Sequence, residues 1–174
     1  MVGICVLVAF AMGCPEPSDE PSPQSPDWQR AFDAENTGWL LSVAGRKTDA
    51  VYTVGGTADD GRVKRYDGSD WVDEPVPDGV PLLNWVHCFD DGTPVVAGND
   101  GTILRRDGGG WATEETPTDE DLWGVWGTSP DDLWAVGGSG RQSGQATILR
   151  YQGDGWSEVD VPQLERSDVH AFFK

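Results

Sequence analysis

From residue 39 onward, short apolar runs alternate with clusters of glycine, aspartate and proline. Nowhere does the i, i+3, i+4 spacing of an amphipathic helix persist, whereas runs rich in β-branched and aromatic residues between turn residues are the signal of short strands. The clearest stretch predicts four of them in succession: A at Leu122 to Gly127, B at Leu133 to Gly137, C at Ile148 to Tyr151, and D starting at Trp156. Between C and D stands Gly153-Asp154, and Asp-Gly or Gly-Asp pairs suit tight hairpins because such turns need positive φ.

This unit repeats. Leu40 to Gly56 (LLSVAGRKTDAVYTVGG) aligns without a gap on Leu122 to Gly138 (LWGVWGTSPDDLWAVGG) at an offset of 82, and Leu83 to Gly98 (LNWVHCFDDGTPVVAG) aligns at an offset of 39. A second block follows each first one: RVKRYDGSDW ending at Trp71, TILRRDGGGW at Trp111 and TILRYQGDGW at Trp156, with closing tryptophans 40 and 45 residues apart. Four strands per repeat of about forty residues predict an all-β fold, a β-propeller made of four-stranded antiparallel blades. The blades are expected at 39–77, 82–117 and 121–162 within a propeller region of 28–174, with Trp71, Trp111 and Trp156 packing between neighbours. Asp27 to Phe32 reads as an isolated strand D, and residues 168–174 as the start of another blade. Three full blades plus orphan strands at both ends are too few for a ring of four to eight. The expectation is therefore a piece of a longer product, or chains that self-associate through open blade edges.

The alternation of an apolar strand, Gly-Gly, Tyr and Trp resembles kelch repeats. It is visible in Gly55-Gly56, Tyr66 and Trp71, and again in Gly137-Gly138, Tyr151 and Trp156. The middle repeat keeps Gly98 and Trp111 but has Asn99 and Arg106 in the other places. VWGTSPDDLWAVGG and ILRYQGDGW look closer to propeller repeats of bacterial secreted lipoproteins. The resemblance implies fold and says little of function.

The N-terminus adds a destination. Val2 to Gly13 is twelve residues without a charge, too short to span a bilayer but of signal-peptide length. Ala11-Met12-Gly13-Cys14 resembles the bacterial lipoprotein box, with Ala11 where leucine is usual and no basic residue before the run. This implies a signal peptide over 1–13 and Cys14 as the lipid anchor; an ordinary cleaved signal peptide is the alternative. Pro15 after the cysteine implies the outer membrane, so the protein is expected in the cell envelope as an outer-membrane-anchored lipoprotein, or secreted. Residues 14–27, rich in Pro, Ser and acidic side chains, read as an extended linker.

Charge and chemistry then narrow the functions. The net charge of −18 excludes nucleic acid and anionic lipid surfaces as partners, leaving the membrane to be reached only through the lipid. Cys88 is the one cysteine beyond the N-terminal segment, so no internal disulfide framework is available. The two histidines, His87 and His170, lack the partners of a metal site, no cofactor is expected, and no catalytic constellation is arguable from spacing. Arg65-Tyr66-Asp67-Gly68 lacks the serine of a sialidase box, and the ligands of galactose oxidase, a kelch-type enzyme, are not matched. The repeated Arg65, Arg105 and Arg150 are expected to pair with turn aspartates such as Asp67 and Asp107. The third B–C loop, Ser139 to Gln145, is longer than the second, Asn99 to Gly101, which makes Arg141, Gln142 and Gln145 candidate ligand-binding residues. The resulting expectation is a non-enzymatic, membrane-tethered propeller binding a protein or glycan at the bacterial envelope. The alternatives are a fragment of a secreted carbohydrate-active propeller enzyme and an envelope-complex assembly factor.

Overall fold

Twelve strands, β1 (Trp39–Lys47), β2 (Ala50–Thr57), β3 (Asp60–Tyr66), β4 (Trp71–Glu74), β5 (Leu83–Cys88), β6 (Pro94–Gly98), β7 (Ile103–Asp107), β8 (Gly110–Glu114), β9 (Leu122–Ser129), β10 (Asp132–Gly138), β11 (Ala146–Tyr151) and β12 (Trp156–Glu158), make up all the regular structure of the described residues. The computed structural model describes residues 29–138 and 146–160. The chain divides into two units, residues 1–30 and 31–174, and every strand belongs to the second. Cys14, Trp28, Arg141, Gln142, Gln145 and the strand expected at 168–174 lie outside the described residues. Of the isolated strand expected near Trp28, residues 29–32 carry no strand; a D strand with no C strand beside it has no partner for its backbone groups.

The strands form three four-stranded antiparallel sheets, each in simple order: β1-β2-β3-β4, β5-β6-β7-β8 and β9-β10-β11-β12. This is the all-β, blade-like architecture that the repeat predicts, and the three sheets do not close into a ring. Tight turns join strands within each sheet. In the first C–D turn, Asp67 Oδ1 accepts from the Ser69 and Asp70 amides at 2.9 Å each, and these bonds hold the carboxyl down to about 2.

One repeated glycine has a steric reason. A Cβ on Gly55, Gly98 or Gly137 would meet the carbonyl oxygen of Trp39, Leu82 or Asp121 respectively, the residue just before the facing A-strand leucine. In the second and third sheets that carbonyl accepts a hydrogen bond from the next amide, Asn99 or Gly138, at 2.9 Å. The bond draws the two backbones together, and only a residue without a side chain fits between them.

The core lies between sheets. Alternation along each strand gives every sheet two apolar faces, as a blade stacked on both sides requires. Tyr52, Val54 and Val63 of the first sheet pack against Leu83, Val86, Val96, Leu104 and Trp111 of the second. Val95, Ala97 and Ile103, on the second sheet's other face, pack with Leu122, Val125, Leu133, Leu149 and Trp156 of the third. Each such Val, Leu or Ile contributes roughly 1.5–3 kcal/mol by leaving water, so these two seams carry most of the favourable free energy.

Candidate functional site

The seams also carry polar bonds, and these decide which side chains remain available. Arg65 pairs with Glu74 at 2.7 Å, Arg105 with Glu114 at 2.6 Å, and Arg150 with Asp132. The expectation of turn aspartates holds for Arg150, whose partner Asp132 stands at the β9–β10 turn, and is corrected for the other two: Asp67 and Asp107 are occupied by amides of their own turns. Antiparallel register puts the strand-D glutamate diagonally beside the strand-C arginine on the same face. Glu74 also receives Arg106 of the second sheet at 3.0 Å. Burial alone would raise its carboxyl, but the two guanidinium partners outweigh that and hold it below its ordinary range. Glu114 instead accepts the Trp156 indole N–H at 2.6 Å. The equivalent Trp111 indole nitrogen is buried without a partner, because Arg106 stands where the other repeats have Tyr66 and Tyr151 and takes the carboxylate first.

The first strands of the sheets (β1, β5, β9) are edge strands, and their edges are stitched by side chains rather than by a ladder. Ser42 Oγ accepts from the Val86 amide at 3.2 Å, Arg46 Nε donates to the Cys88 carbonyl at 3.2 Å, and Asn84 Nδ2 donates to the Leu122 carbonyl at 3.0 Å. His87 belongs to this stitching: its Nε2 lies 3.2 Å from the Gly127 carbonyl and its ring meets Phe89 edge-on at 5.2 Å. Burial lowers its pKa below the usual histidine value, leaving a neutral ring. Cys88 is buried and its thiol is pushed up to about 11 by burial, far from a reactive thiolate.

Along the same first strands lies the most distinctive exposed surface. Trp126, Trp85 and Trp123 are 56%, 45% and 36% exposed. Trp85 belongs to the middle sheet, which is covered on both faces, yet stays open because the equivalent positions on the neighbouring first strands are Ser42 and Gly124. Trp123 Nε1 donates to the Gly138 carbonyl at 3.1 Å, which fixes its ring, and the Trp126 ring lies 6.3 Å from that of His87. Large indole faces held at a surface suit stacking on flat, weakly polar groups. Sequence reasoning assigned Trp71, Trp111 and Trp156 to packing and gave no role to the three exposed here. The signal was present: of the tryptophans that recur, Trp111 and Trp156 are buried and Trp71 is half-buried, while Trp85, Trp123 and Trp126 occupy positions where the other repeats have Ser, Asn, His, Gly, Leu or Ala.

A concavity of about 400 Å³ lies between the first two sheets and is lined by Lys47, Tyr52, Asp91, Thr93, Arg106 and Asp107 among others. Its charges are mixed, and Arg106 is already bound to Glu74, so it offers no converging set for one ligand. Among the described residues no group of three His, Cys, Asp or Glu side chains is placed to hold a metal, and no helix is long and apolar enough to cross a membrane. The fold defines a class, a protein of stacked propeller-type blades, here with exposed tryptophans on its first strands. In comparisons with known proteins, no family model matches the chain and no curated protein matches it in sequence.

Proposed function

We propose that the protein is a non-enzymatic binding module of the bacterial cell envelope, tethered to the outer membrane through Cys14, that takes a neutral glycan against the tryptophans of its first strands. The observation that carries this reading is Trp85, which stays 45% exposed in a sheet covered on both faces, where burial would have gained several kcal/mol if packing were its purpose. Trp123 and Trp126 on the adjacent first strand extend the surface, and sugar rings present flat C–H faces that stack on indoles. The net charge of −18 favours uncharged over anionic ligands. Among the described residues, His87 is held on the Gly127 carbonyl and Cys88 lies in the core.

The test is a titration of intrinsic tryptophan fluorescence with neutral N-acetylhexosamine oligomers. Saturable quenching or a blue shift is expected, abolished by Trp85→Ala with the far-UV circular dichroism of the folded protein unchanged. An unresponsive parent protein refutes the glycan reading and leaves a protein ligand for the same surface, to which Trp-centred hot spots are also suited.

A further inference from the structure

In the middle sheet, Trp85 shares its side of the first strand with one polar side chain, that of His87. Their cross-strand partners are Ala97 and Val95, which both pack toward the third sheet. Trp85 and His87 therefore project to that side together, about 6.5 Å apart along the strand. Trp85 is exposed there and His87 half-buried. The two nitrogens of the imidazole are in unequal states. Nε2 lies 3.2 Å from the Gly127 carbonyl, and a carbonyl only accepts, so Nε2 carries the hydrogen. In a neutral ring Nδ1 is then a bare acceptor. Burial, helped by the charge of Arg46, holds the ring neutral against the opposite pull of the Gly127 carbonyl and Asp90. Among the described residues no group donates to Nδ1.

We propose that His87 sets the ligand preference of the surface around Trp85: a sugar ring stacks on the indole and its acetamido N–H donates to His87 Nδ1, which rests on the glycan reading above and narrows the ligand to N-acetylated sugars. An acetamido group joins one N–H donor to a methyl group. His87 offers one acceptor, and the Trp126 ring 6.3 Å from the imidazole supplies an apolar neighbour for the methyl. The acceptor is also fixed in direction. The bond to Gly127 holds one end of the ring, and Phe89 meets it edge-on at 5.2 Å, so little ordering remains for the ligand to impose. A hydroxyl rotates to suit whichever neighbour is present, whereas an amide N–H has one direction. A fixed acceptor therefore favours the amide donor, and a sugar without it leaves Nδ1 unpaired beneath the stacked ring.

The test compares two titrations of tryptophan fluorescence on the full chain at about pH 7.5, where the ring is neutral. One uses an N-acetylhexosamine tetramer and the other the plain hexose tetramer of the same linkage. The parent is expected to bind the N-acetylated tetramer roughly three- to tenfold tighter, the contribution of one hydrogen bond. Two variants then separate the nitrogens. In His87→Gln the side-chain amide reaches the Nε2 position and still donates to Gly127, but nothing stands at the Nδ1 position; the two tetramers are expected to bind alike. In His87→Asn the amide oxygen falls near the Nδ1 position, and the preference is expected to return. Far-UV circular dichroism checks that both variants fold, and the parent's own comparison decides independently of them. Equal binding of the two tetramers by the parent overturns the role of His87 and leaves the glycan reading standing. A preference that persists in folded His87→Gln does the same. A parent that responds to neither tetramer overturns both.

Discussion

Glu74 is the sharpest point at which to perturb the molecule, because one carboxylate joins two blades. It receives Arg65 from its own sheet at 2.7 Å and Arg106 from the next at 3.0 Å, with its side chain only 10% exposed. Glu74→Gln keeps the volume and removes the single negative charge that both arginines share. Hydrogen bonds to a charged group contribute about 1.5–3 kcal/mol each, and removing one member of a buried pair costs about 3–5 kcal/mol. The arginine side chains keep 28% and 34% of their exposure, so water compensates part of the loss. Glutamine also still accepts one bond. The expected loss is therefore at the lower end, about 2 kcal/mol, or a fall in melting temperature of roughly 4–8 °C. Urea unfolding followed by far-UV circular dichroism measures it. The decisive comparison is a double-mutant cycle with Arg106→Met, which keeps the aliphatic stem; a coupling of at least about 1 kcal/mol is expected for a shared network. A loss under about 0.5 kcal/mol with additive behaviour would refute the idea that this carboxylate locks the first seam.

Three further outcomes follow from the same structure. Gly137→Ala places a Cβ against the Asp121 carbonyl and is expected to destabilise the third sheet by about 2–4 kcal/mol, read as a lowered urea midpoint, whereas Gly108→Ala, in the open, should change it little. Stability should fall as pH drops: His87, lowered from 6.5, and Glu74, lowered from 4.5, both bind protons more readily in the unfolded chain. The urea midpoint is thus expected to be level between about pH 6.5 and pH 9, to decline below it first through His87 and then, near pH 4.5, through Glu74, with His87→Gln flattening the upper step, and to decline above about pH 9 as the Cys88 thiol ionises more readily in the unfolded chain; a midpoint that rises on acidification from pH 6.5 contradicts this. Cys14→Ser should release the protein from membranes into the soluble fraction, and unchanged membrane partition removes the lipid anchor.

How much of this was legible beforehand depends on whether a feature recurs within the chain. The period of about forty residues, the four strands per unit and the glycines at 55, 98 and 137 recur, and a feature repeated in every copy reports a local requirement that every copy shares. Strand alternation and turn composition act over a few residues, so the all-β blade architecture can be read from one repeat. The exposed tryptophans were also legible in principle, as residues that break the repeat. Of the arginine partners only that of Arg150, the turn aspartate Asp132, was legible; for Arg65 and Arg105 nearness in sequence pointed to turn aspartates while antiparallel register brought the strand-D glutamates alongside.

By itself, then, the sequence determined the elements: which segments pair as strands, where they turn, and which side chains alternate to two apolar faces. Only the tertiary structure decided which of those faces are covered. Burial belongs to a pair of surfaces, and the same leucine and valine are sealed in two sheets and open to water in the first. The tertiary structure likewise decided that one glutamate serves two blades, and that Trp85 remains at the surface because its neighbours on the adjoining strands are a serine and a glycine, too small to cover it.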